Sequence, residues 1–414
     1  MMKIFAPALI ASALVLLSRA SADELPGGKC LECHQMTGDG VAELWQDDVH
    51  AHAGIGCETC HGGDPTQADR DLAKRRGTGY RGKLSPQQIL LMCGGCHGDI
   101  EYMKARKPSL PVDQLEKYRT SVHGQLLAKG ETRVAQCASC HGAHGVRAVN
   151  DAKSPVYAEN VPATCAHCHA DADYMKDFGI PTDQYEQYKR SVHGKALLEK
   201  HDVRGAPACN DCHGNHGAVP PSIDSITNIC GTCHAYNAQL FLASPLAAEF
   251  REKSLADCVA CHGKHLITHV SDDWLKDEPG GTCRKCHETG DEGSDLALYY
   301  TDTFSSIRQS FDDIDQLLAS AELKGMDVTE GEDDEQAARQ GLLQARTLIH
   351  AFSKPLMEEK VTDIAQNQAA ALEVGYAQLR AFDQRRHGLF ISTLLLLLLT
   401  LGVAIKIRTL PPLD

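Results

Sequence analysis

The sequence predicts a mainly α-helical protein with much irregular loop, and three observations lead to this fold class. Apolar residues at helical spacing form a regular pattern only from about Ser294 onward. Aromatic residues make up only 5% of the chain, which has 35 Gly and 17 Pro, so the preceding region lacks the material for a large conventional core. The 18 Cys and 21 His are far more than a 414-residue chain ordinarily carries, and they lie mostly in that region.

Every cysteine belongs to a Cys-x-x-Cys-His unit, and the nine units leave no cysteine over. We number these motifs first to ninth in chain order. Their cysteines are Cys30/Cys33, Cys57/Cys60, Cys93/Cys96, Cys137/Cys140, Cys165/Cys168, Cys209/Cys212, Cys230/Cys233, Cys258/Cys261 and Cys283/Cys286. The histidines that complete them are His34, His61, His97, His141, His169, His213, His234, His262 and His287.

This spacing is typical of haem c attachment, in which the two thiols bond to the haem and the following imidazole binds its iron. A disulfide framework or zinc sites are the alternatives, but neither requires a histidine after every cysteine pair. The sequence therefore predicts nine covalently attached haem c groups, with iron, within residues 30–287. So little chain per haem means that the porphyrins form much of the core and lie close together.

An internal repeat with a period of roughly 72 residues covers about 93–164 and 165–229, and it predicts stacked units of two haems each. Each repeat carries two more histidines, one in Ser-Val-His-Gly and one in the extension Cys-His-Gly-x-His. Neutral imidazole is the usual second, or distal, ligand of electron-transfer haems. The repeated candidates are His123, His144, His193 and His216.

Partial repeats on either side add further distal candidates. One or both of His50 and His52 are expected before the second motif, and His265 and His269 after the eighth. The remaining histidines are expected to bind no iron, either because they lie in or between motifs or because they lie outside the haem region. These are His167, His201, His350 and His387.

The third repeat departs from the pattern at Leu246, which stands in Ser-Pro-Leu-Ala where the earlier repeats have Ser-Val-His-Gly. Leucine cannot bind iron. One haem is therefore expected either to borrow a ligand such as His269 or to keep an open site.

The two ends of the chain predict export and anchoring. Residues 1–22 have the pattern of a secretory signal peptide, with Lys3, an apolar run and small residues before the expected cleavage site. Residues 389–405 form an apolar run flanked by basic residues, which predicts one transmembrane helix over 388–407. The body, 23–290, would then be exported, and the tail 408–414 would stay in the cytoplasm.

Residues 291–387 are predicted to form a helical stalk. One apolar stripe runs from Tyr300 to Leu318, and a longer helix is expected over 335–387 with a kink or break at Pro355. The acidic stretch 327–335 is expected to be a loop. The whole is predicted to be a helical hairpin that leads into the transmembrane helix and that could also pair with a second copy of the chain.

The formal net charge of −14 excludes a general nucleic-acid binder, which would carry a basic excess. The motif pattern resembles the periplasmic multihaem c-type cytochromes with doubled Cys-x-x-Cys-His motifs, of the cytochrome c3-like kind, as a membrane-anchored nonahaem member. The resemblance covers 30–287 and includes Gly-Cys-Glu-Thr-Cys-His-Gly-Gly-Asp-Pro at 56–65, the two Ser-Val-His-Gly elements and Cys-Asn-Asp-Cys-His-Gly-Asn-His at 209–216.

This resemblance implies respiratory electron transfer at the outer face of the inner membrane, with the haem domain in the periplasm. Its expected partners are a membrane quinol-oxidising or cytochrome b-type subunit and periplasmic or outer-membrane redox proteins. A reductase or oxidase of a small nitrogen or sulfur compound, acting at the haem that lacks a distal histidine, is the alternative. The Cys-x-x-Cys-Lys motif typical of multihaem nitrite and tetrathionate reductases does not occur in the sequence, which weakens that alternative.

Overall fold

The computed structural model describes residues 26–409, and these residues form helices, turns and loops without a strand. The predicted mainly α-helical class with much irregular loop is confirmed. The expected signal peptide and the last five residues of the tail lie outside the described residues.

The chain divides into two compact units. The first comprises the described chain up to Glu186 together with Ala196–Pro220, and the second comprises Gln187–Lys195 and the chain from Pro221 onward. The first unit therefore carries the first six motifs, and the second unit carries the last three and the stalk.

The α-helices in chain order, up to those that cross the division, are α1 Gly28–Thr37, α2 Val41–Gln46, α3 Val49–His52, α4 Cys57–His61, α5 Arg70–Ala73, α6 Pro86–His97, α7 Ile100–Arg106, α8 Gln114–Thr120, α9 Val122–Ala128, α10 Cys137–His141, α11 Val161–His169, α12 Ala172–Met175, α13 Gln184–Arg190 and α14 Val192–Leu198. They continue with α15 Cys209–His213, α16 Ile226–Gly231, α17 Ala235–Ala243, α18 Pro245–Glu252, α19 Asp257–His262, α20 Glu292–Glu322, α21 Thr329–Leu348 and α22 Lys354–Thr409. Short 3-10 helices are Lys176–Phe178, Ile223–Ser225, Asp272–Leu275, Cys283–Lys285 and Ile349–Ala351.

The even-numbered motifs share one local structure. Each forms a short helix (α4, α10, α15 or α19) that stops immediately after its histidine. Residues three and four apart share a helix face, so the two thiols and the imidazole of a motif point to the same side. Each helix is followed by a glycine with φ between 66° and 85°, a conformation that costs glycine little. The third and fifth motifs instead end the longer helices α6 and α11.

The distal candidates in Ser-Val-His-Gly lie just after a break between two helices. Ser121 has an extended backbone between α8 and α9, and its hydroxyl donates to the Tyr118 carbonyl at 2.6 Å and accepts from the Gly124 amide at 2.9 Å. The buried serine thus ends one helix and caps the next. The turn leaves no room at Gly124, where a Cβ would stand 2.0 Å from the Tyr118 carbonyl oxygen.

The stalk is a bundle of the three long helices α20, α21 and α22. Gly331 packs on Val374 and Gly341 on Ile364, so α21 and α22 run antiparallel. Glycine permits this close approach, because a Cβ at Gly341 would stand 2.7 Å from Ile364 Cγ1. The predicted hairpin is therefore present in α21 and α22, and a third helix packs against it.

Helix α20 runs parallel to α22. The Gln368 amide donates to the Ile307 carbonyl at 3.0 Å, and Gly375 packs against Leu317 further along both helices. The apolar stripe predicted for α20 forms the centre of the bundle core. Its buried members are Tyr300, Phe304, Ile307, Phe311, Ile314 and Leu318.

The prediction of a loop over 327–335 is wrong, because α21 already begins at Thr329. Asp327 accepts a hydrogen bond from the Thr329 amide at 3.1 Å, and acidic residues fill the first turns of the helix. Carboxylates are favourable there because they offset the positive end of the helix dipole. The predicted break near Pro355 is present: Phe352 adopts a left-handed conformation (φ 48°), and Pro355 falls in the first turn of α22.

Helix α22 continues from the bundle into the apolar C-terminal segment without interruption. Its 56 residues correspond to about 84 Å of helix. Among the described residues it is the one helix long and apolar enough to cross a membrane, and the side chains of its apolar window are not buried by the rest of the protein. This is compatible with the predicted membrane anchor.

Replacing Ile364 with alanine is expected to destabilise the bundle by about 2–5 kcal/mol, because Ile364 is fully buried between α21 and α22. The measurement is the urea midpoint for loss of helical circular dichroism. Gln366→Ala, at an exposed position of the same helix, serves as the control and should leave the midpoint nearly unchanged. Equal midpoints for the two variants would contradict the packing described here.

Candidate haem-binding sites

Five predicted distal histidines each face a motif histidine across a gap of about the same width. The distances between ring centres lie between 6.0 and 6.2 Å. The pairs are His50–His97 at 6.1 Å, His61–His144 at 6.0 Å, His123–His169 at 6.0 Å, His141–His216 at 6.1 Å and His193–His234 at 6.2 Å.

This gap fits an iron atom held between two imidazoles. A metal–nitrogen bond of about 2 Å on each side, plus roughly 1 Å from each nitrogen to its ring centre, separates the rings by about 6 Å. Among the described residues, no disulfide joins the cysteines, and no group of three or more His, Cys, Asp or Glu could hold a bare metal ion. The residues therefore fit haem c better than a disulfide framework or zinc.

Hydrogen bonds at Nδ1 orient several of the motif imidazoles. His61 Nδ1 donates to the Gly82 carbonyl at 3.0 Å, and His213 Nδ1 donates to the Val219 carbonyl at 3.2 Å. His287 Nδ1 donates to Asp291 at 3.1 Å. A donor bond at Nδ1 selects the tautomer whose Nε2 lone pair is free for a metal.

Asp48 orients His50 in the same way. It is fully buried, lies 2.9 Å from His50 Nδ1 and accepts from the amides of His50 and Val146, both at 2.8 Å. Burial alone would raise the pKa of this carboxyl group, but the hydrogen bonds outweigh it and lower the pKa. Asp48 occupies the position of Ser121, so His50, and not His52, is the counterpart of His123.

Three of the distal candidates lie where burial favours the neutral form that a metal requires. Burial, and then the neighbouring histidine that faces each ring, lowers the pKa of His123, His193 and His144. Because iron binds the unprotonated nitrogen, a lowered pKa keeps these rings ready for ligation near neutral pH.

The pairs follow two rules. A histidine after a helix break faces the histidine of an odd-numbered motif: His50 faces the third, His123 the fifth and His193 the seventh, with interplanar angles of 82°, 61° and 38°. An extension histidine faces the even-numbered motif two places earlier: His144 faces the second and His216 the fourth, with angles of 26° and 9°.

A repeated backbone hydrogen bond joins the two kinds of element. The amide just before each helix-break histidine donates to a carbonyl two residues beyond an extension histidine. The bonds are Val49 to Val146 at 2.9 Å, Val122 to Ala218 at 3.1 Å and Val192 to Ile267 at 2.8 Å. His265 thus occupies the same position as His144 and His216, which supports its prediction as a distal ligand.

The attachment points of successive motifs adjoin within each unit. The thiol of Cys93 lies beside that of Cys137, and the thiol of Cys165 lies beside that of Cys209. Cys230 and Cys258 make the corresponding contact in the second unit. The first cysteine of an odd-numbered motif therefore lies beside the first cysteine of the next motif in all three cases.

Three of the predicted attachment cysteines, each the second of its motif, lie at the surface. Cys212, Cys233 and Cys286 are exposed, whereas the other motif cysteines are half-buried. The expectation that the porphyrins form much of the core stays a prediction. A haem attached there would have one edge at the protein surface, and the role of these cysteines in attachment stays a prediction.

The local structure explains two of the exposed thiols. Cys233 lies beyond the end of α16 at Gly231, and Cys286 lies just beyond the 3-10 helix Cys283–Lys285. The seventh and ninth motifs thus do not form the complete short helix that holds both thiols of an even-numbered motif on one face. The Cys-x-x-Cys-His pattern is the same in all nine motifs and carries no sign of this difference.

Cys33, in the first motif, is half-buried, and the first motif adjoins the second through its first cysteine, as the later odd-numbered motifs do. Burial is the main cause of the raised pKa of Cys30, and Cys33 of the same motif is a minor one. The pKa of Cys57 in the second motif is raised to about 11, first by burial and then by Cys30. Cys30, and not Cys33, is therefore the cysteine of the first motif that adjoins the second motif. The attachment of a haem through Cys33 stays a prediction.

Two of the predicted distal candidates have a different environment. His52 and His269 are exposed, and the structure records no ring facing either of them among residues 26–409. Their roles as iron ligands stay predictions. His201 is exposed and pairs with Glu159 at 2.8 Å, in keeping with its expected surface position.

The position of Leu246 matches that of His123 and His193 in three dimensions. Ser244 has an extended backbone between α17 and α18, and its hydroxyl donates to the Phe241 carbonyl at 2.6 Å, as Ser121 and Ser191 do to theirs. Pro245, at the place of the valine, has no amide hydrogen for the repeated backbone bond. By the first pairing rule, this position would serve the ninth motif.

The expectation that His350 lies apart from the haem motifs is wrong. Its ring centre is 6.1 Å from that of His262, in the eighth motif, and the two rings are within 17° of parallel. The sequence offers no sign of this contact, because His350 follows 88 residues after His262 in a helical segment without any repeat of the haem motifs. Only the folding of the stalk brings the two rings together.

The chain is similar to known multihaem cytochromes. Residues 49–170 match the family model for cytochrome c3. A multiheme cytochrome MtrA from Shewanella baltica is 26% identical over 218 residues, which are 50% of this chain and 52% of that protein. A C-type polyheme cytochrome OmcC from Geobacter sulfurreducens is 25% identical over 217 residues, which are 44% of this chain and 25% of that protein.

The chain thus spans about half the length of the first relative and a quarter of the second. No solved structure matches it significantly. Together with the motif geometry, these similarities imply covalently bound haem c and support the interpretation of the chain as a multihaem cytochrome.

Replacing His123 with alanine is expected to convert one haem per chain from low spin to high spin, because the ring that faces His169 is removed. Electron paramagnetic resonance of the oxidised protein measures the change. His201→Ala should produce none, since this exposed ring faces no motif histidine. An unchanged low-spin count in the His123 variant would contradict the assignment of this pair.

Proposed function

We propose that this chain is a membrane-anchored nonahaem cytochrome c that transfers electrons between a membrane quinol-oxidising partner and periplasmic or outer-membrane acceptors. When bound, each haem supplies a one-electron iron couple. The single observation that carries the proposal is the repeated pairing of imidazoles at 6.0–6.2 Å, in step with the Cys-x-x-Cys-His motifs.

Paired imidazoles favour electron transfer over catalysis. With an imidazole of the protein on each side, these irons would have no coordination site left for a substrate. The rings are oriented by hydrogen bonds and held in short helices, so little rearrangement accompanies a change of charge at the iron. These are the properties of a carrier.

The adjoining motifs supply a route through each unit. Besides the thiol contacts within the three motif pairs, the pKa of Cys60 in the second motif is raised first by burial and then by Cys96 of the third. Cys140 of the fourth motif is affected in the same way by burial and then by Cys165 of the fifth, and its pKa rises to about 11. Successive haems attached at these points would be close neighbours.

The bundle would hold the haem-bearing body away from the membrane. The part of α22 between Lys354 and Gly388 is roughly 50 Å long. Lys354 follows closely after His350, and Gly388 lies just before the apolar segment. A membrane partner that delivers electrons to the last motifs would therefore need its own part outside the bilayer, or a redox protein would carry electrons across the gap. The signal-peptide pattern supports a periplasmic position for the body, with the anchor in the inner membrane.

The experiment for this proposal measures haem content and electron capacity together. The intact mass of the full chain should exceed that of the processed polypeptide by nine haem masses, because the nine motifs use all 18 cysteines. A reductive titration should consume nine electrons per chain reversibly. Fewer haems would refute the count, and haems that do not reoxidise with a redox-protein acceptor would refute the carrier function.

A second candidate function, reduction or oxidation of a small nitrogen or sulfur compound, rests on Leu246. This residue stands where the pairing rule requires the distal ligand of the ninth haem, and it packs against the apolar cluster of Phe241, Ala247 and Phe250. Within the described residues, no second imidazole faces His287. The same holds for His34 of the first motif, but the ninth haem is the one at which the repeat places a leucine, so it is the candidate for binding an exogenous ligand.

Oxidised protein with such a site should bind cyanide at about one haem per chain, with loss of one high-spin signal. Leu246→His should abolish that binding, because it restores the imidazole found at His123 and His193. Leu242→His, which adds a histidine at an exposed position of α17, is the matched control and should leave cyanide binding unchanged. A parent protein with only low-spin haems and no cyanide binding would exclude this second function.

A further inference from the structure

We propose that His350 is the distal iron ligand of the eighth haem, so that the stalk completes the coordination of a haem in the body. This inference rests on the proposed attachment of haem c to the eighth motif. It concerns a ligand that the motif pattern assigns to no haem.

The geometry of the His262–His350 pair matches that of the other even-numbered motifs. The ring centres are 6.1 Å apart, as for His141 and His216. The interplanar angle of 17° lies between the 9° and 26° of the two other even-motif pairs, and well below the 38° to 82° of the odd-motif pairs. The stalk histidine thus reproduces both the separation and the orientation of an extension histidine.

The pairing rules leave the eighth motif without a ligand from the repeat. An even-numbered motif receives its distal imidazole from the extension two motifs later, but no motif follows the ninth. The same rule explains the start of the array, where the second motif is extended by Gly-Gly-Asp without a histidine, because no earlier motif needs one. Three motifs therefore receive no histidine from the repeat: the first, which no earlier unit precedes, the ninth, where Leu246 stands, and the eighth, which His350 faces.

The His350 ring is presented in the right tautomer. Its Nδ1 donates to the Thr347 carbonyl at 2.9 Å, which leaves Nε2 as the metal-binding nitrogen. His350 lies in the 3-10 turn Ile349–Ala351, between α21 and α22. The left-handed Phe352 follows and packs on the cluster of Phe241 and Phe250, so the turn is fixed from its far side.

A salt bridge fixes the near side of the turn. Arg346, in the last turn of α21, donates from Nε and Nη2 to the two carboxylate oxygens of Asp272 at 2.9 and 2.8 Å. Asp272 begins the 3-10 helix that also carries Trp274, whose ring lies 5.5 Å from that of His262. This bidentate contact ties the stalk to the segment that packs on the eighth motif.

The test uses the full chain with His350→Gly, measured with and without added imidazole. The substitution should increase the high-spin haems by one per chain relative to the parent protein, whether or not the parent already has an open ninth haem. Free imidazole should reverse the change by filling the vacated position. His387→Gly is the matched control: it lies in the same stalk, its Nδ1 donates to the Asp383 carbonyl within its own helix, and it should change nothing.

Two results would overturn the proposal. One is an unchanged spin-state count in the His350 variant. The other is a change that imidazole does not reverse, which would assign His350 a structural role. The covalent haem masses of the parent and the variant separate this test from the proposed function. Nine haem masses in both without a spin change refute only the role of His350, whereas fewer than nine in the parent refute the nonahaem proposal.

Discussion

The whole body of this protein depends on one constraint, namely that two imidazoles must face each other across about 6 Å. The two rings of a pair cannot both come from one short helix, so each pair joins residues that are far apart in sequence. The local structures serve this geometry. A glycine with positive φ ends each even-numbered motif at its histidine, and a buried serine or Asp48 breaks a helix just before a distal histidine. Hydrogen bonds at Nδ1 then point Nε2 of several rings into the gap.

These pairs give the body the character of a one-dimensional array. In five pairs a histidine beside one motif faces the histidine of a motif one or two places away. One backbone hydrogen bond recurs at Val49, Val122 and Val192. Repeat proteins of this kind face a problem at their ends, where a unit lacks its neighbour. Here the C-terminal end departs from the rule twice. Leu246 and Pro245 replace the ligand and the backbone donor, and His350 enters from the stalk.

The stalk is stabilised in an entirely different way. Its three helices bury a continuous apolar core that includes Phe304, Ile314 and Ile364, each with no exposed surface. Glycines at the contacts let α21 and α22 approach closely. Apolar burial stabilises such a bundle, whereas the body has few buried apolar side chains and would rely on its prosthetic groups. A stalk that supplies an iron ligand would connect these two kinds of stability at the Arg346–Asp272 contact.

The sequence by itself determined the features that repeat or that follow a local periodicity. These are the motifs, the recurring distal histidines, the stripe of α20, the break near Pro355 and the apolar C-terminal run. It left the choice between His50 and His52 open and misjudged the acidic start of α21, because charge patterns do not distinguish a loop from a helix N-terminus. Only the tertiary structure decided which motif thiols reach the surface and which rings face each other, and it alone brought His350 to His262. The physical reason is that a contact between residues 88 positions apart is set by the packing of whole helices, and a single unrepeated histidine carries no trace of it in its neighbours.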